Sequence, residues 1–115
     1  MSDLINRWFA RAARVPGTRA YGLRYPDGRA FSNTWEARFP EAMLNELWQR
    51  LAPVAEMAGP DESPEALRWT FRDGLVMGAA RPDGLVFFVL LSKQGVEPDA
   101  SGLNRLLSEF RALRG

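Results

Sequence analysis

A serine beside a lysine, Ser92-Lys93, is the nearest this sequence comes to a nucleophile with its own base. Neighbours on or just past a strand send their side chains to opposite faces, so the two do not converge on one substrate. There is no histidine and no cysteine. That rules out a Ser-His-Asp or Cys-His arrangement, and with it thiolate chemistry and disulfides. Carboxylates are the remaining route, as an acid–base pair or as ligands for Mg²⁺, and an enzyme would have to gather them in a cleft. Asp27, Asp73 and Asp83 each precede a glycine, and turn formation accounts for all three. Asp61, Glu62 and Glu65 fall in a Pro-rich stretch and read as a solvated acidic tip. The glycines occur singly, with neither a Walker loop nor a dinucleotide fingerprint. The expectation is a chain without catalytic residues, cofactor or metal.

Recognition is the alternative to chemistry. Arg7, Arg11 and Arg14 form a stripe on which an acidic partner or a phosphate-rich surface could dock. A solvated border beside an apolar helix face explains the same spacing. Tyr21, Tyr25, Trp35 and Trp69 could line a ligand site or stack on bases, although aromatics on alternating strands usually belong to a core. Net charge is only +1, so no global field recruits nucleic acid or an anionic membrane.

The elements that position these residues belong to one domain spanning the 115 residues. With 46% hydrophobic and 25% charged residues the chain can build a core without staples. Its longest uncharged apolar run, residues 85–91, is far shorter than the roughly 20 residues a membrane helix needs. Met1-Ser2-Asp3 lacks the basic start of a signal peptide. These points lead us to expect a soluble cytoplasmic domain, of bacterial type, with no membrane insertion and no nucleic acid partner.

Ser2 or Asp3 can cap a helix running to about Arg14, with Leu4, Ile5, Trp8, Phe9 and Ala12 on one face. Pro16-Gly17 stops it. Tyr21, Leu23 and Tyr25 alternate as a strand, and Asp27-Gly28 predicts a tight primed turn into a second strand with Phe31, Asn33 and Trp35. Residues 40–58 return to a helical period. Met43, Leu44, Leu47, Trp48, Leu51, Val54, Ala55 and Ala58, with Met57 and Ala52, spread over an arc wider than the roughly 100° stripe that one sheet contact requires. Pro53 falls on the opposite, polar side. After a loop at 59–64, Leu67, Trp69 and Phe71 alternate with Arg68, Thr70 and Arg72 as a third strand. Asp73-Gly74 and Asp83-Gly84 mark turns around a fourth. Residues 85–91 are apolar at every position, the mark of a central strand covered on both faces. A final helix follows Glu97-Pro98-Asp99, with Leu103, Leu106, Leu107, Phe110 and Leu113 on one stripe. This predicts a three-layer α/β/α sandwich with a mostly antiparallel five-stranded sheet and the order α-β-β-α-β-β-β-α.

This order, and above all Val15-Pro16-Gly17-Thr18-Arg19-Ala20-Tyr21-Gly22-Leu23-Arg24-Tyr25-Pro26-Asp27-Gly28-Arg29, resembles the roadblock/dynein-light-chain family. Leu67-Arg68-Trp69-Thr70 and the closing strand and helix fall where that family places them. Profilin-like and longin domains share related layouts. The resemblance implies a sheet with the last strand in the middle and the third at an edge. It also implies a homodimer paired through that edge strand and the middle helix, without catalytic residues, acting as an adaptor or regulator for a small GTPase or another protein. On this chain the implied seam comprises Met43, Leu47, Trp48, Leu67, Arg68, Trp69, Thr70 and Phe71. The wide arc on the middle helix favours such a seam, because surplus apolar surface wants a second partner. Arg68 and Arg72 count against it as edge charges, although arginine stems can also lie over apolar surface. The competing reading is a small-molecule sensor of profilin-like layout, with Trp35 and Trp69 around a pocket.

Overall fold

A computed structural model describes residues 3–12, 14–58, 68–70, 74–92 and 99–113. In chain order these form α1 (Asp3–Arg11), β1 (Thr18–Arg24), β2 (Ala30–Thr34), α2 (Glu41–Ala58), β3 (Arg68–Thr70), β4 (Gly74–Ala80), β5 (Val86–Ser92) and α3 (Ala100–Ala112). The strands make one sheet in the order β2-β1-β5-β4-β3, and every pairing in it is antiparallel. As expected, β5 is central and β3 lies at an edge.

The apolar run of β5 explains the layers. Successive strand side chains point to opposite faces, so Phe87, Val89 and Leu91 enter one core while Val86, Phe88 and Leu90 enter another. The first core lies under α1 and α3 and takes in Ile5, Phe9, Leu103, Leu107 and Phe110. The second lies under α2 and takes in Leu44, Trp48, Leu51, Ala52 and Ala55.

Helix α1 stops at Arg11, one turn before the expected Arg14. Beyond it, Val15 is bound to the start of the sheet. Its N–H donates to the Tyr21 hydroxyl at 2.9 Å, and its carbonyl accepts from the N–H and the hydroxyl of Thr18 at 3.0 and 2.5 Å. A residue before proline also disfavours helical backbone, which completes the break.

The two short hairpins share the turn Pro-Asp-Gly, at 26–28 and at 82–84. Neither is the primed turn expected at Asp27-Gly28. A primed turn of that kind needs positive φ at two residues, and proline fixes its own φ near −65°. Only the glycines go left-handed, at +96° for Gly28 and +91° for Gly84, and among the described residues no other residue type has positive φ. Each aspartate braces its turn. Asp27 accepts from the Arg29 N–H at 3.1 Å and from the Arg29 guanidinium at 2.8 Å. Asp83 accepts from the Leu85 N–H at 3.2 Å and from Arg81 at 2.6 Å. Structural use is thus sufficient for both carboxylates.

Candidate functional site

Two surfaces have side chains to offer a partner, one on each side of the sheet. The first begins inside the α2 core. Ser32, Gly22, Phe88 and Gly78 are paired in register, one each on β2, β1, β5 and β4. The missing side chains of the two glycines leave seats on either side of Phe88. Trp48 fills one, stacked on Phe88 with ring centroids 4.9 Å apart and planes 8° from parallel. A Cβ on Gly22 would fall within the Trp48 indole. Trp69 fills the other seat, 6.2 Å from Phe88, with a ring carbon 3.1 Å from where a Gly78 Cβ would stand. The Trp48 Nε1–H donates to the Ser32 hydroxyl at 2.8 Å, and that hydroxyl donates to Asn45 Oδ1 at 2.6 Å. This chain satisfies the polar atoms that α2 carries into the core.

The core contacts use one side of α2 and polar contacts use another. Asn45 reaches Ser32, Gln49 reaches the Gly28 carbonyl and Glu56 pairs with Arg24 at 2.6 Å, all toward β1 and β2. At about 100° per residue, Met43, Leu47 and Val54 then fall on the flank opposite these polar contacts, and Met57 follows on the outward face of the helix. Met43 is 46% exposed, Val54 49% and Met57 87%, so the surplus predicted from the wide arc stands in solvent. Only the Arg50–Glu46 pair, 2.8 Å apart, interrupts it with charge. Beside it runs β3, which pairs with β4 alone among the described strands.

The predicted seam residues therefore divide. Met43, Leu47, Arg68, Trp69 and Thr70 keep exposed or half-exposed surface along this flank. Trp48 is wholly buried in the chain's own core and has no surface to give a second copy. Its place in the wide arc was an ordinary core position. Leu67 and Phe71 lie outside the described residues, as do Arg72, Asp73, Lys93 and the acidic tip at 61, 62 and 65.

The second surface is a groove of about 540 Å³ between α1 and α3. Trp8, Ala12, Leu106 and Leu113 line its floor, and Leu4 stands at its lip. The Trp8 Nε1–H donates to Glu109 Oε1 at 3.1 Å, tying the two helices together. Arg7 and Arg11 rise on the α1 side and Arg105 on the α3 side. Of the predicted stripe, Arg7 and Arg11 border this groove. Arg14 lies past the helix end, its guanidinium 5.1 Å from the Trp35 ring centroid. Arg105 was missed because it lies far along the chain, and only helix packing brings it opposite Arg7 and Arg11.

The pocket imagined between Trp35 and Trp69 does not form. Trp35 packs on the α1/α3 core and donates to the Thr18 carbonyl at 2.9 Å, while Trp69 packs on the α2 core. The sheet separates them. Tyr21 and Tyr25 are core residues, and burial pushes the Tyr25 phenol above its ordinary pKa. Among the described residues no three Asp or Glu side chains gather to hold a metal ion, and no helix is long and apolar enough to cross a membrane. Set against protein-family models, curated proteins and solved structures, the chain matches none of them. The roadblock resemblance thus rests on the sequence alone.

Proposed function

We propose that this chain is a non-catalytic module that pairs with a second copy of itself along β3 and α2 and presents the pair to a protein partner. The observation that carries the reading is the solvent-exposed apolar surface of α2, together with a strand, β3, whose outer side pairs with no other described strand. The two features call for the same occupant. A strand from a second copy completes the ladder, and its own α2 flank covers Met43, Leu47, Val54 and Met57. The β2 edge suits this less well, because α2 turns its polar side chains toward it.

The arginine objection is met by register. Antiparallel pairing of two β3 strands about a two-fold axis through Trp69 sets Arg68 opposite the second copy's Thr70. Like charges are then not opposed across the seam. The roadblock resemblance supports this mode of pairing and is the sole source for naming a small GTPase as the partner.

Light scattering over a range of concentrations tests the pairing, with a dimer that persists on dilution as the expected result. Trp69→Glu puts a charge at the seam, and Thr70→Pro removes a backbone donor from the edge. Each should weaken self-association by about thirtyfold or more while the monomer stays folded. A wild-type monomer at every concentration, or two variants that remain folded dimers, would overturn the reading.

A further inference from the structure

We propose that the groove between α1 and α3 docks an acidic amphipathic helix of a partner protein. This goes beyond the pairing of copies and does not depend on it, since the groove lies on the other face of the sheet.

The shape points to a helix. The lining begins at Leu4 on α1 and at Gly102 on α3 and runs to the end of each helix, which at 1.5 Å per residue is about 10 and 15 Å of wall. That length matches two to three turns of a third helix. Walls made of helices have no spare backbone donors or acceptors, so an occupant must satisfy its own backbone hydrogen bonds. A helix does, whereas an extended peptide needs a strand edge and finds none here. The floor is recessed, with Leu106 buried and Trp8, Ala12 and Leu113 half-buried, and only Leu4 stands well exposed. A bilayer surface does not reach such a floor, while the ridge of a helix does.

The rim sets the charge. Arg7 and Arg11 stand on one side and Arg105 on the other, and among the described residues none of the three makes an ion pair. The single carboxylate in the groove, Glu109, is engaged by the Trp8 indole. Three cations flanking an apolar floor from both sides complement a helix whose apolar stripe is bordered by Asp and Glu. The second element of the fit is Gly102. Its missing side chain leaves room for Val15 and for Asp99, the N-cap of α3, at the end of the groove.

The test is a selection of random peptides of about 16 residues displayed against the full chain, long enough for more than three helical turns. The same library is depleted against a variant carrying Arg7→Glu, Arg11→Glu and Arg105→Glu, all exposed positions, whose fold is checked by circular dichroism. The enriched peptides should carry apolar residues at i, i+3 or i+4, and i+7, bordered by Asp and Glu. A synthetic peptide from this set should bind the triple variant at least about tenfold more weakly, and its Lys-bordered counterpart should regain affinity for that variant. Val54→Lys with Met57→Lys, two exposed positions on α2, should bind the peptide as the wild type does, which separates this site from the dimer seam. No enrichment, enrichment without helical period or acids, or binding indifferent to the charge reversal would each overturn the proposal. So would arginine-dependent binding to phosphatidylserine vesicles in the absence of peptide binding, which would assign the rim to lipid headgroups.

Discussion

The two faces of the sheet both leave apolar surface uncovered, but they leave it in different forms. Under α2 the interior is closed around a stacked tryptophan, and the surplus is pushed to a nearly uncharged flank beside a strand edge. Under α1 and α3 the two helices stand apart, and the surplus is sunk between them behind a rim of arginines. One face offers hydrogen-bonding backbone with flat apolar cover. The other offers shape and charge. Surplus apolar surface by itself therefore says little about its occupant, and the polar groups around it carry most of the distinction.

The contrast is testable, beginning with the residue that most differs between the faces. Trp48→Ala removes a fully buried ring and its hydrogen bond and should cost about 4 kcal/mol in urea unfolding. Trp8→Ala, in a half-open groove, should cost about half of that, roughly 2 kcal/mol. Equal losses would show that the α2 core is no better closed than the groove. Gly22→Ala should cost about 2 kcal/mol, because the new methyl and the Trp48 ring require the same space. In a Trp48→Leu background most of that cost should vanish, and simple additivity would refute the seat. Val54→Lys with Met57→Lys should change monomer stability by less than about 0.5 kcal/mol, since both side chains already stand in solvent. The pair should nonetheless weaken the dimer seen by light scattering.

The smallest effect concerns acid. The Arg29 N–H, and after it the Arg29 guanidinium, hold the Asp27 carboxyl below the ordinary carboxylate pKa. A lowered folded pKa gives a contribution fully present above the unfolded carboxylate pKa and lost as pH falls through the lower, folded one. Asp27→Asn should therefore flatten the acid limb of the stability–pH curve slightly and leave neutral pH almost unaffected in slope. A steeper acid limb in that variant would refute the assignment.

Much of the architecture was legible because two periods do not resemble each other. Helical spacing in 40–58 and strict alternation around 21–25 left little ambiguity, and the unbroken apolar run at 85–91 required cover on both faces. Register was the hidden quantity. Gly22 and Gly78 are unremarkable as single glycines in two strands and become a pair of seats only when aligned on Phe88. The same holds for Trp35 and Trp69, since alternation assigns each to a side of its own strand but not to a common face. Arg105 and the groove required α1 and α3 to lie over the same face of the sheet, although Arg11 and Arg105 are more than ninety positions apart along the chain. The early end of α1 was missed because the competing bonds of Val15 come from β1, beyond the helix itself.

The four tryptophans divide evenly between the faces, Trp8 and Trp35 on one and Trp48 and Trp69 on the other. Each face thereby carries its own optical reporter. Trp8 lies on the groove floor and Trp69 beside the edge strand, so single-tryptophan versions of the chain can be read one surface at a time. An emission change confined to Trp8 would mark filling of the groove, and one confined to Trp69 would mark closure of the seam. With both in hand, the order in which the domain acquires its two neighbours becomes a stopped-flow measurement made without any added dye.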